Sequence, residues 1–184
     1  MNGFIVANSE GYSEAKYQIS SNEEFSADIQ LDKLYEIPIN ANIKTGSMLV
    51  SFESEGYSTS VLYPDTKTVK LKEGYYNVSA YVYQSSSLKF PALSERKCVN
   101  VPKTGIKGLL GMEEEKSIDV EIPEQQIDMA IIGGGKTQDY FVESQLESSQ
   151  EIKITAPLFK TPSTIQELQN NYDELEDSII EVSL

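Results

Sequence analysis

Apolar and polar side chains alternate with period two through most of this chain up to about residue 156, interrupted by clusters of Gly, Pro, Asn and Ser. Neighbouring side chains of a strand point to opposite faces, so such a pattern buries one face of a sheet and wets the other. Residues 36–40, 48–54, 57–63 and 66–72 read as strands in this way. Residues 75–83 give the clearest case: Tyr76, Val78, Ala80 and Val82 share one face, while Tyr75, Asn77, Ser79, Tyr81 and Tyr83 share the other. Between the last two strands, Glu73-Gly74 has the chemistry of a two-residue hairpin turn, since glycine takes the positive φ such turns require. Further on, Ile118, Val120 and Ile122 alternate with Asp119 and Glu121; Ile127, Met129 and Ile131 repeat the pattern, and Ile152 with Ile154 close it. Strands separated by turns rather than by helices predict a mainly β, antiparallel fold.

The period changes near the C-terminus. Ser163 and Gln166 stand in the spacing of a capping box, and Ile165, Leu168, Tyr172, Leu175 and Ile179 then recur at intervals of three and four. An amphipathic helix of roughly four turns with an acidic polar face is expected. Its apolar stripe is placed either against the β domain or, as a short heptad seam, against a partner. The chain so divides into a β domain over residues 1–158, with a sub-boundary suggested near 84–96, and a helical segment over 159–184.

Composition narrows the chemistry. A chain of 184 residues builds a core without metal or disulfide staples, and the single cysteine, Cys98, forms no internal disulfide framework. Cys98 is out of phase with Val99 and Val101, which predicts exposure unless it is a small buried residue. A net charge of −14, scattered lysines and one arginine, Arg96, argue against nucleic acid as a partner. No apolar run is long enough to span a bilayer, and the first seven residues are too short for a signal peptide. With no histidine, the usual general base, zinc ligand and nucleophile partner are missing, and tryptophan is absent too. No Asp-x-Asp-x-Asp loop supports calcium, and carboxylate pairs such as Glu143 and Glu147 look like a solvated face. No catalytic residue, metal ligand or cofactor is therefore assigned, and catalysis is not expected.

Three stretches remain as candidates. Residues 130–137, AIIGGGKT, spell a loose phosphate loop. A working phosphate loop follows a central parallel strand and opens a helix with its Lys-Thr. Here the preceding residues alternate as a half-exposed strand does, and residues 138–146 read as a further strand followed by a turn at 147–150. The expectation is an amphipathic strand ending in a glycine bulge, with Lys136 and Thr137 as polar turn residues. Residues 102–116 form a long hairpin connection between strands at 97–101 and 117–122. Its Ile106, Leu109, Leu110 and Met112 are too apolar for a solvated loop. They either fold back over an open end of the domain or protrude to meet a neighbouring subunit, another partner or a membrane. The run Glu113-Glu-Glu115 argues against an anionic membrane. The third candidate is the tyrosine face of Tyr75, Tyr81 and Tyr83, a platform for sugars, peptides or a second protein. It would lose that role if another sheet or the loop at 85–93 covered it. Asn77-Val-Ser79 on the same strand matches a glycosylation sequon.

The run Thr68-Val-Lys-Leu-Lys-Glu-Gly-Tyr-Tyr-Asn-Val-Ser-Ala-Tyr-Val82 resembles the strand-turn-strand of carboxypeptidase-regulatory-like and transthyretin-type modules, over about fifteen residues. The resemblance implies an Ig-like, non-catalytic β-sandwich used on cell surfaces or in assemblies, and it transfers no functional residue. The later strands and the terminal helix leave a jelly-roll-like sandwich open as well. The expected function is a structural or protein-interaction module of a surface or particle, self-associating or meeting a protein partner. Its contacts would be Ile106, Leu109, Leu110 and Met112 of the loop and Leu168, Tyr172 and Leu175 of the helix. The alternative is a carbohydrate- or peptide-binding module using Tyr75, Tyr81 and Tyr83.

Overall fold

A computed structural model describes residues 2–20, 26–102 and 113–184. The strands β1 (Asn2–Ala7) and β2 (Ala15–Ser20) pair antiparallel as a separate two-stranded sheet. A four-stranded antiparallel sheet contains β4 (Ser47–Ser54), β5 (Tyr57–Tyr63), β7 (Gly74–Phe90) and β10 (Gln125–Phe141), in the order β10-β7-β4-β5. A second contains β3 (Tyr35–Ala41), β6 (Thr68–Leu71), β11 (Ile152–Thr155) and β12 (Glu181–Ser183), in the order β12-β11-β3-β6. Two further strands, β8 (Leu93–Pro102) and β9 (Glu113–Ile122), pair only with each other among the described residues. The helices are α1 (Glu143–Ser148) and α2 (Ile165–Asp177).

Alternation does the folding work. In β3, Tyr35, Ile37, Ile39 and Ala41 are buried while Glu36, Pro38 and Asn40 are exposed. These meet Met48, Val50 and Phe52 of β4 and Tyr76, Val78, Ala80 and Val82 of β7 in one core shared by both four-stranded sheets. Each Val, Ile, Met or Phe side chain among them contributes roughly 1.5–3 kcal/mol on burial, so this shared interior dominates stability. At its centre Phe52, Tyr76 and Phe141 form a ring cluster with centroids 5.4–6.4 Å apart. The Tyr76 hydroxyl bridges Lys72, accepting from its amide and donating to its carbonyl, both at 3.2 Å. Burial pushes that phenol up to about 12.

The antiparallel expectation holds for most pairings, but β3 and β11 run parallel, joining segments more than a hundred residues apart. Glu73-Gly74 is not a hairpin turn: β6 pairs with β3 and β7 with β4 and β10, so these residues carry the chain from one sheet to the other. Two-residue turn chemistry also serves such a crossing, and the partner of β6 is chosen by Val69 and Leu71 turning into the shared core. Nor do residues 85–90 form a loop, since β7 continues unbroken to Phe90. Residues 143–148 are helical rather than extended, with Leu146 buried in the core.

Together β7 and β10 make a long ribbon. Gly74 faces Phe141 and Val82 faces Gly133; a one-residue bulge at Ile132 shifts the register, which is restored where Leu88 faces Ile127. The same frame continues into β8 and β9, where Leu93 faces Ile122 and Pro102 faces Glu113. The two breaks, Pro91-Ala92 and Pro123-Glu124, stand opposite each other in this frame. Proline offers no amide to a ladder, so one proline in each leg, each one position from the other's level, interrupts the ladder on both legs. Strand β4 accompanies β7 only from Asn77 to Tyr83.

Candidate functional site

The far half of this hairpin is the first candidate. Ten residues in each leg at about 3.4 Å per residue give a ribbon of about 34 Å, with no third strand among the described residues. Such ribbons are marginal alone and expose unpaired backbone groups along both edges. Arg96 Nε donates to Asp119 Oδ1 across the strands at 2.8 Å, and the exposed Cys98 Sγ lies 3.8 Å from Ser117 Oγ. The legs differ in charge: β8 carries Arg96 and Lys97 against Glu95, and β9 carries five carboxylates against Lys116. The strands expected at 97–101 and 117–122 do belong to one antiparallel pair, but the register sets 97–101 against 114–118, and the connection expected over 102–116 is shorter because residues 113–116 are already strand. Ile106, Leu109, Leu110 and Met112, the apolar residues of the connection, lie outside the described residues.

The second candidate is the outward face of β5-β4-β7-β10. The 85–93 segment does not cover it, and Glu53, Tyr75, Asn77 and Gln138 are open to solvent. Tyr75 is 72% exposed and meets the Tyr140 ring at 5.0 Å with an interplanar angle of 61°. Tyr140 donates to Glu73 Oε1 at 3.2 Å, and the neighbouring Glu73 charge raises its phenol above the usual range. Tyr81 and Tyr83 are half-buried; burial raises the Tyr83 phenol, and the Tyr172 phenol adds to that. Two shallow depressions of about 640 and 500 Å³ adjoin on this face and share Glu53, Asn77 and Gln138. Tyr81 lines the first and Tyr75 the second, whereas Tyr83 lines neither. Gln138 Nε2 donates to Asn77 Oδ1 at 2.7 Å, a pairing across β7 and β10 that no local sequence signal marks.

The helix is mostly used internally. Leu175 is buried over Gly134, and Leu168 is half-buried, whereas Tyr172 is 47% exposed. Ile179 lies beyond the helix and is 74% exposed, because the chain leaves helical geometry at Ser178. The N-cap is Thr164 rather than Ser163: its side chain accepts from the Glu167 amide at 3.1 Å. Glu167 reaches back to accept from the amide and hydroxyl of Ser163, both at 2.7 Å, and from Lys160 at 3.2 Å. The Ser163 hydrogen bonds, with Lys160 behind them, hold this carboxyl at about 2. Asn171, not singled out by the apolar stripe, is buried and donates to the carbonyls of Ile131 and Lys160. It sits three residues after Leu168 and four before Leu175, so helical spacing could have placed it on the buried face.

AIIGGGKT lies inside β10 rather than at its end, and Lys136 and Thr137 are strand residues, not turn residues. A bulge is present at this place, but the extra residue is Ile132, immediately before the glycines, which all keep register with β7. The glycines make room for main chain: a Cβ on Gly133 would lie 2.4 Å from the Pro157 carbonyl oxygen, and one on Gly135 2.5 Å from that of Ser178. Through this gap Gly134 donates to Pro157, Phe159 to Ile132, Lys136 to Ser178 and Ile180 to Lys136. The Lys136 amide is thus spent on the C-terminal segment, in an antiparallel strand, and no helix opens there to cradle phosphate.

Glu143 and Glu147 tie α1 to β3: Tyr35 donates to Glu143 at 2.5 Å, and Lys33 stands 3.5 Å from Glu147 and over the Tyr35 ring. The hydrogen bond to Glu143 raises the Tyr35 phenol above its usual range. No cluster of three or more potential metal ligands occurs among the described residues, and none of their helices is long and apolar enough to cross a membrane. Compared with protein-family models, with curated proteins and with solved structures, the chain matches none, so the geometry of the ribbon and of the tyrosine face carries the functional reading.

Proposed function

We propose that this chain is a non-catalytic assembly module: a β-sandwich body whose hairpin arm joins it edge to edge with other copies in a surface layer or particle. Two four-stranded sheets closing on one core support the sandwich assignment, in the Ig-like form that residues 68–82 resemble. The observation that carries the assembly reading is the β8–β9 ribbon, which has two unpaired edges and no third strand among the described residues. Edge strands of this length are templates for pairing unless they are blocked. A two-fold contact through like edges would set the acidic β9 against itself, whereas β8 of one copy and β9 of the next are complementary. Head-to-tail pairing of that kind propagates into rings or layers.

Size-exclusion chromatography with light scattering over a range of concentrations tests this. The full chain is expected to gain mass with concentration, while a chain with residues 91–124 replaced by an Asn-Gly turn stays monomeric. A full chain that remains monomeric throughout, or a shortened chain that associates equally well, overturns the proposal.

A further inference from the structure

We propose that the outward face of β5-β4-β7-β10 is a binding site for a neutral oligosaccharide chain, lying along β7 between Tyr75 and Tyr81. The site uses residues distinct from the hairpin arm, so it stands or falls independently of the assembly reading.

The shape comes first. The two depressions share Glu53, Asn77 and Gln138, so they form one trough with a tyrosine at each end. Tyr75 and Tyr81 lie six residues apart on the same face of one strand, which sets them about 20 Å apart. A trough open along this length takes a chain passing through rather than an enclosed small molecule.

The chemistry then selects the ligand. Tyr75 offers an exposed ring held in orientation by Tyr140, the kind of flat amphipathic surface on which the C–H face of a sugar stacks. Between the tyrosines, the single hydrogen bond from Gln138 to Asn77 fixes both amides. It leaves the Asn77 amide nitrogen as donor and the Gln138 carbonyl oxygen as acceptor. A hydroxyl is donor and acceptor at once, so neighbouring hydroxyls on a sugar ring match such a pair. Glu53 and Lys136 line the same trough, yet neither forms an ion pair among the described residues. Glu55 lines the trough too, so its carboxylates outnumber its ammonium by one, and this together with the net charge of −14 opposes an acidic glycan and leaves a neutral one as the sugar that fits. A peptide would gain affinity from strand edges, and the face of a sheet offers it no free backbone groups.

Calorimetric titration of the full chain with neutral hexasaccharides of glucose, mannose and N-acetylglucosamine tests the site, with the matching monosaccharides and a polygalacturonate oligomer alongside. At least one neutral hexasaccharide is expected to bind saturably and more tightly than its monosaccharide. Tyr75→Ala and Tyr81→Ala should each weaken it about tenfold, a loss of ~1.4 kcal/mol. Gln138→Ala, at an exposed position, should weaken it while circular dichroism stays unchanged. Absence of saturable binding by all three hexasaccharides overturns the proposal. So does equal affinity in the tyrosine variants, or binding of the acidic oligomer alone.

Discussion

The two halves of the long hairpin have the same alternating pattern and opposite surroundings. In the near half, Tyr76, Val78, Ala80 and Val82 of β7 point into the shared core, with β4 on one side and β10 on the other. In the far half, Val99 and Val101 of β8 and Ile118, Val120 and Ile122 of β9 alternate just as clearly in sequence, but among the described residues β8 and β9 pair only with each other. Period two thus specifies a strand and its faces, while burial depends on whether a third strand and a facing sheet arrive. The facing breaks at Pro91 and Pro123 mark where one regime gives way to the other.

The largest test of this contrast compares one residue from each half of the molecule. Phe52→Ala in the body should cost about 3–5 kcal/mol in denaturant unfolding, since the ring is fully buried against Tyr76 and Phe141. Val120→Ala in the arm, where the side chain is 40% exposed, should stay within about 0.5 kcal/mol in the dilute monomer. Comparable losses at the two sites would erase the distinction.

Gly135→Ala comes next, because the added methyl meets the Ser178 carbonyl at 2.5 Å and the backbone has φ +155°. A loss of about 1–3 kcal/mol is expected, with faster hydrogen exchange at the Lys136 and Ile180 amides and unchanged protection in β4. Uniform loss of protection would instead mean that the C-terminal segment and the body unfold as one unit. Asn171→Ala follows: it strips two carbonyl partners and should cost roughly 1–2 kcal/mol, measured by thermal unfolding. A neutral result would show that water replaces the amide.

The smallest effect concerns Glu167. Its carboxyl is held at about 2, below the ordinary 4.5, so its contribution is present above pH 4.5 and fades as the pH falls towards 2. Circular dichroism between pH 7 and 2 should therefore show the end of α2 loosening in the native chain and less change in Glu167→Gln. Identical acid profiles would remove the Ser163 and Lys160 contacts from the account.

Legibility in the sequence followed range. The faces of β7 were readable because alternation is local, and so was the presence of strands at 97–101 and 117–122, though not their register, which sets 97–101 against 114–118. The crossing at Glu73-Gly74 was not readable, since the same two residues suit a hairpin and a change of sheet, and Val69 and Leu71 decide the matter by what they pack on. The parallel pairing of β3 with β11 has no local signature at all. Of the tyrosine face, Tyr75 and Tyr81 were readable as outward residues. Gln138, Glu53 and Lys136 came from strands whose neighbours only the fold supplies. The helix stripe erred where it followed apolarity alone, counting the exposed Ile179 and passing over the buried Asn171.

The glycine gap in β10 also sets an order of events. Residues 133–136 leave the ribosome well before residues 157–159 and 178–180, the segments that bond to them through main chain. Until those segments emerge, β10 presents a bare strand edge to its surroundings. A chain cut short before residue 157 would keep that edge bare permanently, and its fate would be to stick to its own kind by the wrong strand.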